Sequence, residues 1–104
     1  MAVYAVMIRI DYDESYTKRY EETVAAIHKE AGGSAHVWEE PTSTYIFPSS
    51  KSAVDLNDAI YYGSPLLESR DLLVTVNLSA KGPGSCAQRG ANYPNTLANL
   101  MLAR

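Results

Sequence analysis

Residues 3–11, VYAVMIRID, constrain this chain more than any other stretch. The even positions Tyr4, Val6, Ile8 and Ile10 are apolar or aromatic, while the odd positions Val3, Ala5, Met7, Arg9 and Asp11 grade from apolar to charged. A period of two marks a β-strand. One of its faces belongs in a core and the other is only partly covered, which places the strand in the middle of an antiparallel sheet with helices on one side.

The following residues supply the remaining layers. After 11–15 (DYDES), a set of N-cap candidates, Tyr16, Tyr20, Val24, Ile27 and Ala31 recur at helical spacing, and Gly32 and Gly33 stop the helix. Residues 35–39 and 43–48 are short runs rich in Val, Trp, Tyr, Ile and Phe around Pro41, which predicts a β-hairpin. Ser52 and Asp55 have capping-box spacing before Ala53, Leu56, Ala59 and Ile60, so a second helix of about ten residues is expected, ended by Gly63 and Pro65. Residues 71–79 (DLLVTVNLS) alternate again as a last strand, and 80–93, with three glycines and a proline, read as a loop. After Pro94 a short helix is expected, with Leu97, Leu100 and Met101 on one face.

The order strand, helix, strand, strand, helix, strand predicts an α+β fold, a ferredoxin-like βαββαβ sandwich with a four-stranded antiparallel sheet and a short C-terminal helix. Residues 1–79 form the domain. Residues 80–104 add a Gly-rich basic loop and a helix that packs on the domain or on a dimer partner. The two main helices cover one sheet face, and Val3, Ala5, Met7, Leu73 and Thr75 are expected on the other. Leaving that face in water costs a few kcal/mol at roughly 25 cal/mol per Å², so a second copy or the terminal helix should cover it, and a homodimer is predicted.

Composition narrows the function. In 104 residues there is room for one domain, which excludes large two-domain enzymes. Cys86 stands alone, so neither an intrachain disulfide nor a thiolate zinc site is available. No apolar run approaches the roughly 18–20 residues of a membrane span, and the N-terminus lacks a secretory pattern, which predicts no membrane association and a cytoplasmic location. Residues 1–78 carry six basic and twelve acidic side chains, a balance of −6, and residues 79–104 carry Lys81, Arg89 and Arg104 without an acid, a balance of +3. An acidic body disfavours indiscriminate binding of phosphate backbones.

Candidate chemistry gathers where the first strand meets the first helix. Asp11 and Asp13 are paired carboxylates that can hold a hard divalent ion such as Mg²⁺ and so activate water, or can cap the helix. A dimer axis can bring two copies of Asp11 together. His28 reads as a boundary residue, and His36 shares a strand face with Trp38. Cys86 lies near Lys81 and Arg89, a setting that can activate a thiol, but it has no histidine partner in the pattern. The loop KGPGSCAQRG lacks the P-loop pattern, although Lys81, Gln88 and Arg89 can order around a ligand or nucleic acid. Tyr45 and Phe47 alternate on a strand and can stack bases, with core packing as the alternative.

RIDYD at the end of the first strand, VWEEPTSTYIF in the hairpin and ESRDLLVTVNLS before a basic tail resemble the small SinR-like proteins. These are similar to the second CRISPR-associated protein, the GhoS endoribonuclease antitoxin and the VapD toxin. The resemblance implies a dimeric ferredoxin-like protein of a defence or toxin–antitoxin setting that binds or cleaves RNA or DNA. It implies Asp11 as a metal ligand at the dimer interface, although Arg9 and Ile10 immediately before that acid depart from the family; the residues themselves then offer Asp13 beside Asp11 as a catalytic pair holding Mg²⁺, and Arg9, Lys81 and Arg89 as phosphate contacts. The residues also support an interaction module without enzymatic activity, which would bind a protein partner through its open sheet. A small-ligand-binding dimer is a third reading.

Overall fold

The alternation at the N-terminus becomes β1 (Ala2–Arg9), an inner strand of the sheet. The computed structural model describes residues 1–103, and Arg104 of the basic tail lies outside the described residues. After β1 come α1 (Tyr16–Glu30), a 3-10 turn at Ser34–His36, β2 (Thr44–Ser49), α2 (Ala53–Tyr62), β3 (Leu72–Asn77), a second 3-10 turn at Pro83–Ser85, β4 (Cys86–Arg89) and α3 (Pro94–Ala103). The four strands are antiparallel in the order β2-β1-β3-β4. The architecture is α+β and compatible with a ferredoxin-like fold, but its element order departs from the expected one in two places.

The first departure is at 35–39, which is not a strand. The chain there makes a 3-10 turn and then a single antiparallel bridge, in which Trp38 and Ile46 exchange both backbone hydrogen bonds at 2.8 Å. Extending this ladder would pair position 36 with 48 and position 40 with 44. Pro48 has no N–H to give. On the other side, Thr44 N–H turns back to Pro41 O (3.5 Å) across Ser43, whose φ is +64°. One bridge is all that the flanking residues permit.

The second departure is at 80–93, where the expected loop contains β4. Cys86, Ala87, Gln88 and Arg89 have little β propensity, and they pair with Val76, Thr75, Val74 and Leu73 between Gly82 and Gly90, both at positive φ.

The core lies between the sheet and α1 and α2. Tyr4, Val6, Ile8, Tyr45, Phe47, Ile27, Leu56, Ile60 and Leu73 are buried together. The alternation of Tyr45 and Phe47 therefore serves packing and leaves neither ring free to stack a base. Helix α2 starts as expected, with Ser52 Oγ accepting the Asp55 N–H at 3.1 Å, and ends at Gly63. Helix α1 is rotated from its predicted stripe. Arg19, Thr23, Ala26 and Ile27 are its buried residues, while Tyr16, Tyr20, Val24 and Ala31 pack half-buried beside them.

Two core phenols make the fold sensitive to alkali. Burial and then the Tyr20 hydroxyl, 3.2 Å away, push the Tyr45 phenol above the usual tyrosine range, and burial raises Tyr4 against the opposing Asn77 hydrogen bond. Above about pH 10 the unfolded chain loses these protons while the folded chain keeps them, so stability is full below that pH and falls as pH rises. Urea midpoints should drop between about pH 9 and pH 11, and Tyr45→Phe should flatten the slope. A midpoint that does not move over this range would contradict the assignment.

Candidate functional site

Strand β3 reverses the usual patterning. It pairs with β1 as Ile8↔Leu73, Val6↔Thr75 and Tyr4↔Asn77, so its mixed face joins the even positions of β1 on the helix side. Leu73 and Thr75, expected on the open face, are 1% and 0% exposed, because the paired residue numbers sum to an odd value and parity changes across the ladder. The polar groups turned inward are satisfied. Asn57 Nδ2 of α2 donates to Thr75 Oγ1 at 3.1 Å and to Ala87 O at 3.4 Å. The wholly aliphatic side of the strand, Leu72, Val74, Val76 and Leu78, faces away from α1 and α2.

The register assembles a continuous surface on that side. Val3 stands beside Pro48, Ala5 between Ile46 and Val76, Met7 between Thr44 and Val74, and Arg9 beside Leu72. Cys86 and Gln88 extend the two middle rows, and Trp38 extends the Ile46 row at the other edge. The four strands contain no Asp or Glu, and among the described residues of the strands the only charged side chain on this face is Arg9. Val3 (39%), Trp38 (49%) and Leu78 (45%) are well exposed.

Helix α3 covers only part of this face. Pro94 starts it, as a residue with no N–H to leave unpaired. Met101 is buried, and its carbonyl accepts the Gly82 N–H at 3.3 Å. Leu97 is half-buried and lines a groove with Met7 and Val74. Leu100, expected on the packed face, is exposed. A second groove, of about 420 Å³, stays open beside Val3, Ile46, Pro48 and Trp38.

The carboxylates singled out in the sequence lie at one end of the sheet and are already engaged. The Asp13 carboxylate accepts the Ser15 N–H (2.8 Å) and hydroxyl (2.7 Å) and pairs with Arg70 at 2.7 Å. The Ser15 hydroxyl first, and Arg70 with it, hold its carboxyl below the usual range. The Asp11 carboxylate is exposed and 3.7 Å from the same Arg70. The Arg70 guanidinium thus stands between the two acids, in the place a divalent cation bridging them would take. Among the described residues no group of three or more His, Cys, Asp or Glu could hold a metal ion.

The three expected phosphate contacts are not gathered. Arg9 is on the bare face. Arg89 is on the opposite face, bound to Asp58 (3.0 Å) and Glu68 (3.7 Å) and resting 4.3 Å from the centre of the Tyr61 ring. The Asp58 hydrogen bond first, and then the Tyr62 hydroxyl at 3.2 Å, raise its pKa against the opposing effect of burial. Lys81 follows β3 at the other end of the sheet, roughly 20 Å from Arg9 at about 3.3 Å per strand residue. His28 pairs with Glu39 at 2.7 Å, and His36 is exposed.

Sequence patterns gave no sign of the buried ion pair of Arg19 with Asp71, which anchors this end of the sheet. Asp71 Oδ1 accepts the Asp11 N–H and Oδ2 the Leu67 N–H, both at 2.9 Å, and Arg19 also donates to Asp11 O at 3.4 Å. Among the described residues no helix is long and apolar enough to cross a membrane. Comparison with known proteins finds no matching family model, no matching curated protein and no matching solved structure.

Proposed function

We propose that this chain is a ferredoxin-like interaction module without enzymatic activity, which pairs with a second copy of itself through the bare sheet face. Counting the Trp38 bridge as a shortened second strand gives the spatial order β3, β1, β2, Trp38, with β4 added at the far edge, and this supports the ferredoxin-like reading. The observation that carries the function is the orientation of β3: Thr75 and Asn77 face the helices, while half-buried Leu72, Val74 and Val76 and exposed Leu78 lie on the other side of the sheet, which α3 covers only in part. Burying amide and hydroxyl groups while exposing aliphatic ones is unfavourable in an isolated domain. It becomes favourable once the aliphatic side is covered.

A second copy suits this face. An isologous interface sets one patch against itself, which an uncharged aliphatic surface tolerates and a charged one does not. A twofold axis near Ala5 and Val76 would send the two Arg9 side chains to opposite ends, roughly 26 Å apart at about 3.3 Å per residue, well beyond the Debye length of about 8 Å. Rows about 20 Å long across five strand positions give a floor of roughly 400 Å². Trp38 and Tyr93 at its flanks extend it towards the roughly 800 Å² per partner of a stable interface.

Sedimentation equilibrium tests the reading. The wild type should be a dimer, and Ile46→Lys should weaken it by about a hundredfold or more, since symmetry enters the loss of roughly 1.5–3 kcal/mol of side-chain burial twice. A monomeric wild type would overturn it. A second reading, metal-dependent action on RNA or DNA, is supported by one observation: the exposed Asp11 carboxylate shares its end of the sheet with Arg9 and Arg70. Cleavage that requires Mg²⁺ and is lost in Asp11→Ala would establish it in place of the first.

A further inference from the structure

At the Arg9 end of the bare face, the segment leading from β4 into α3 stands over the sheet and encloses a groove of about 450 Å³. Met7, Leu72 and Val74 form its floor, and Tyr93 and Leu97 its wall. This is within the usual range of small-molecule sites, roughly 300–1,000 Å³. The polar side chains in its lining are those of Arg9, Asn92 and Tyr93, and of these only Arg9 is charged. Arg19, Arg70 and Arg89 each hold a carboxylate, and of the four described arginines Arg9 alone makes no ion pair among the described residues. The acids nearest to it in sequence, Asp11 and Asp13, are held by Arg70. The groove therefore combines an apolar slot with one uncommitted guanidinium.

We infer that this groove binds an aliphatic monocarboxylate, with the hydrocarbon chain along Met7, Leu72 and Val74 and the carboxylate on Arg9. A guanidinium fork matches the two carboxylate oxygens. A single cation in an apolar slot suits one negative charge on a greasy body better than a polar polyanion such as a nucleotide. Met7 and Val74 belong to the pairing face as well, and Ile46→Lys separates the two readings because it disrupts pairing while leaving every groove residue in place.

The test is a titration of the full chain, wild type and Ile46→Lys, with butanoate, hexanoate, octanoate and octanol, followed by NMR shifts of the Met7, Val74 and Leu97 methyl groups. Saturable binding should tighten about fourfold per added methylene. Octanol, and octanoate with the exposed-site variant Arg9→Gln, should bind about tenfold or more weakly than octanoate with the wild type. Absence of saturable shifts in both proteins would overturn the inference. Equal affinity for octanol and octanoate, or no effect of Arg9→Gln, would also overturn it, since the charge would then not be read.

Discussion

Replacing Asp71 with alanine should destabilise the fold by about 3–5 kcal/mol, the cost of breaking a buried ion pair by removing one partner. Asp71 is 2% exposed and Arg19 8%. The substitution would leave the Arg19 guanidinium buried without a counter-charge and the N–H groups of Asp11 and Leu67 without their acceptor. Against a total of roughly 5–15 kcal/mol for a domain of this size, the loss is a large fraction. Urea unfolding measures it directly. The double substitution Arg19→Leu with Asp71→Leu should recover only part of the loss, because it removes the unpaired buried charge but leaves the Asp11 and Leu67 N–H groups without an acceptor. A loss below about 1 kcal/mol for Asp71→Ala would mean that Arg19 escapes to water and that the pair does not anchor the β3 end.

The second large effect is expected at Gly90. Its φ is +82°, and a Cβ built there would stand 1.9 Å from the Asp71 carbonyl oxygen and 3.0 Å from that of Glu68. Both are backbone atoms, so no side-chain rotation relieves the contact. Gly90→Ala should therefore cost about 3 kcal/mol or more, combining left-handed strain with displacement of the 66–71 turn that carries Asp71. Gly82 supplies the control, with φ +90° and no atom within 4 Å of its built Cβ. Gly82→Ala should cost only the backbone strain, about 1–2 kcal/mol. Equal losses at the two positions, read from urea midpoints, would show that the close approach to Asp71 is not enforced.

The elements legible in the sequence are those in which one local signal decides the outcome. The strict alternation of Tyr4, Val6, Ile8 and Ile10 fixes a buried face of β1 whatever its neighbours do, and Ser52 with Gly63 brackets α2. Residues 35–39 have strand composition and fail because of Pro48, a residue on the opposite chain segment, whose missing N–H acts only once the two are paired. The β4 residues have loop composition and succeed because Val74, Thr75 and Val76 offer them an unpaired edge. In both cases tertiary pairing overrides local preference.

The site was legible in outline only. An under-covered second face follows from Val3, Ala5 and Met7, but which side of 72–78 joins it depends on register, which no single strand contains. The structure makes this face more apolar than parity alone predicts, with Val74 and Val76 in place of Leu73 and Thr75. Asp11 and Asp13 stand out in the sequence because they are close together. Their neutralisation by Arg70, some sixty residues away, comes from the fold.

The most direct measurement of the central claim is isotope-filtered NMR on a mixture of labelled and unlabelled chains, which reports only contacts between copies. Pairing through the bare face predicts intermolecular NOEs at the methyl groups of Val3, Ile46, Val74 and Val76. Their absence, or intermolecular NOEs confined to α1 and α2, would contradict the account.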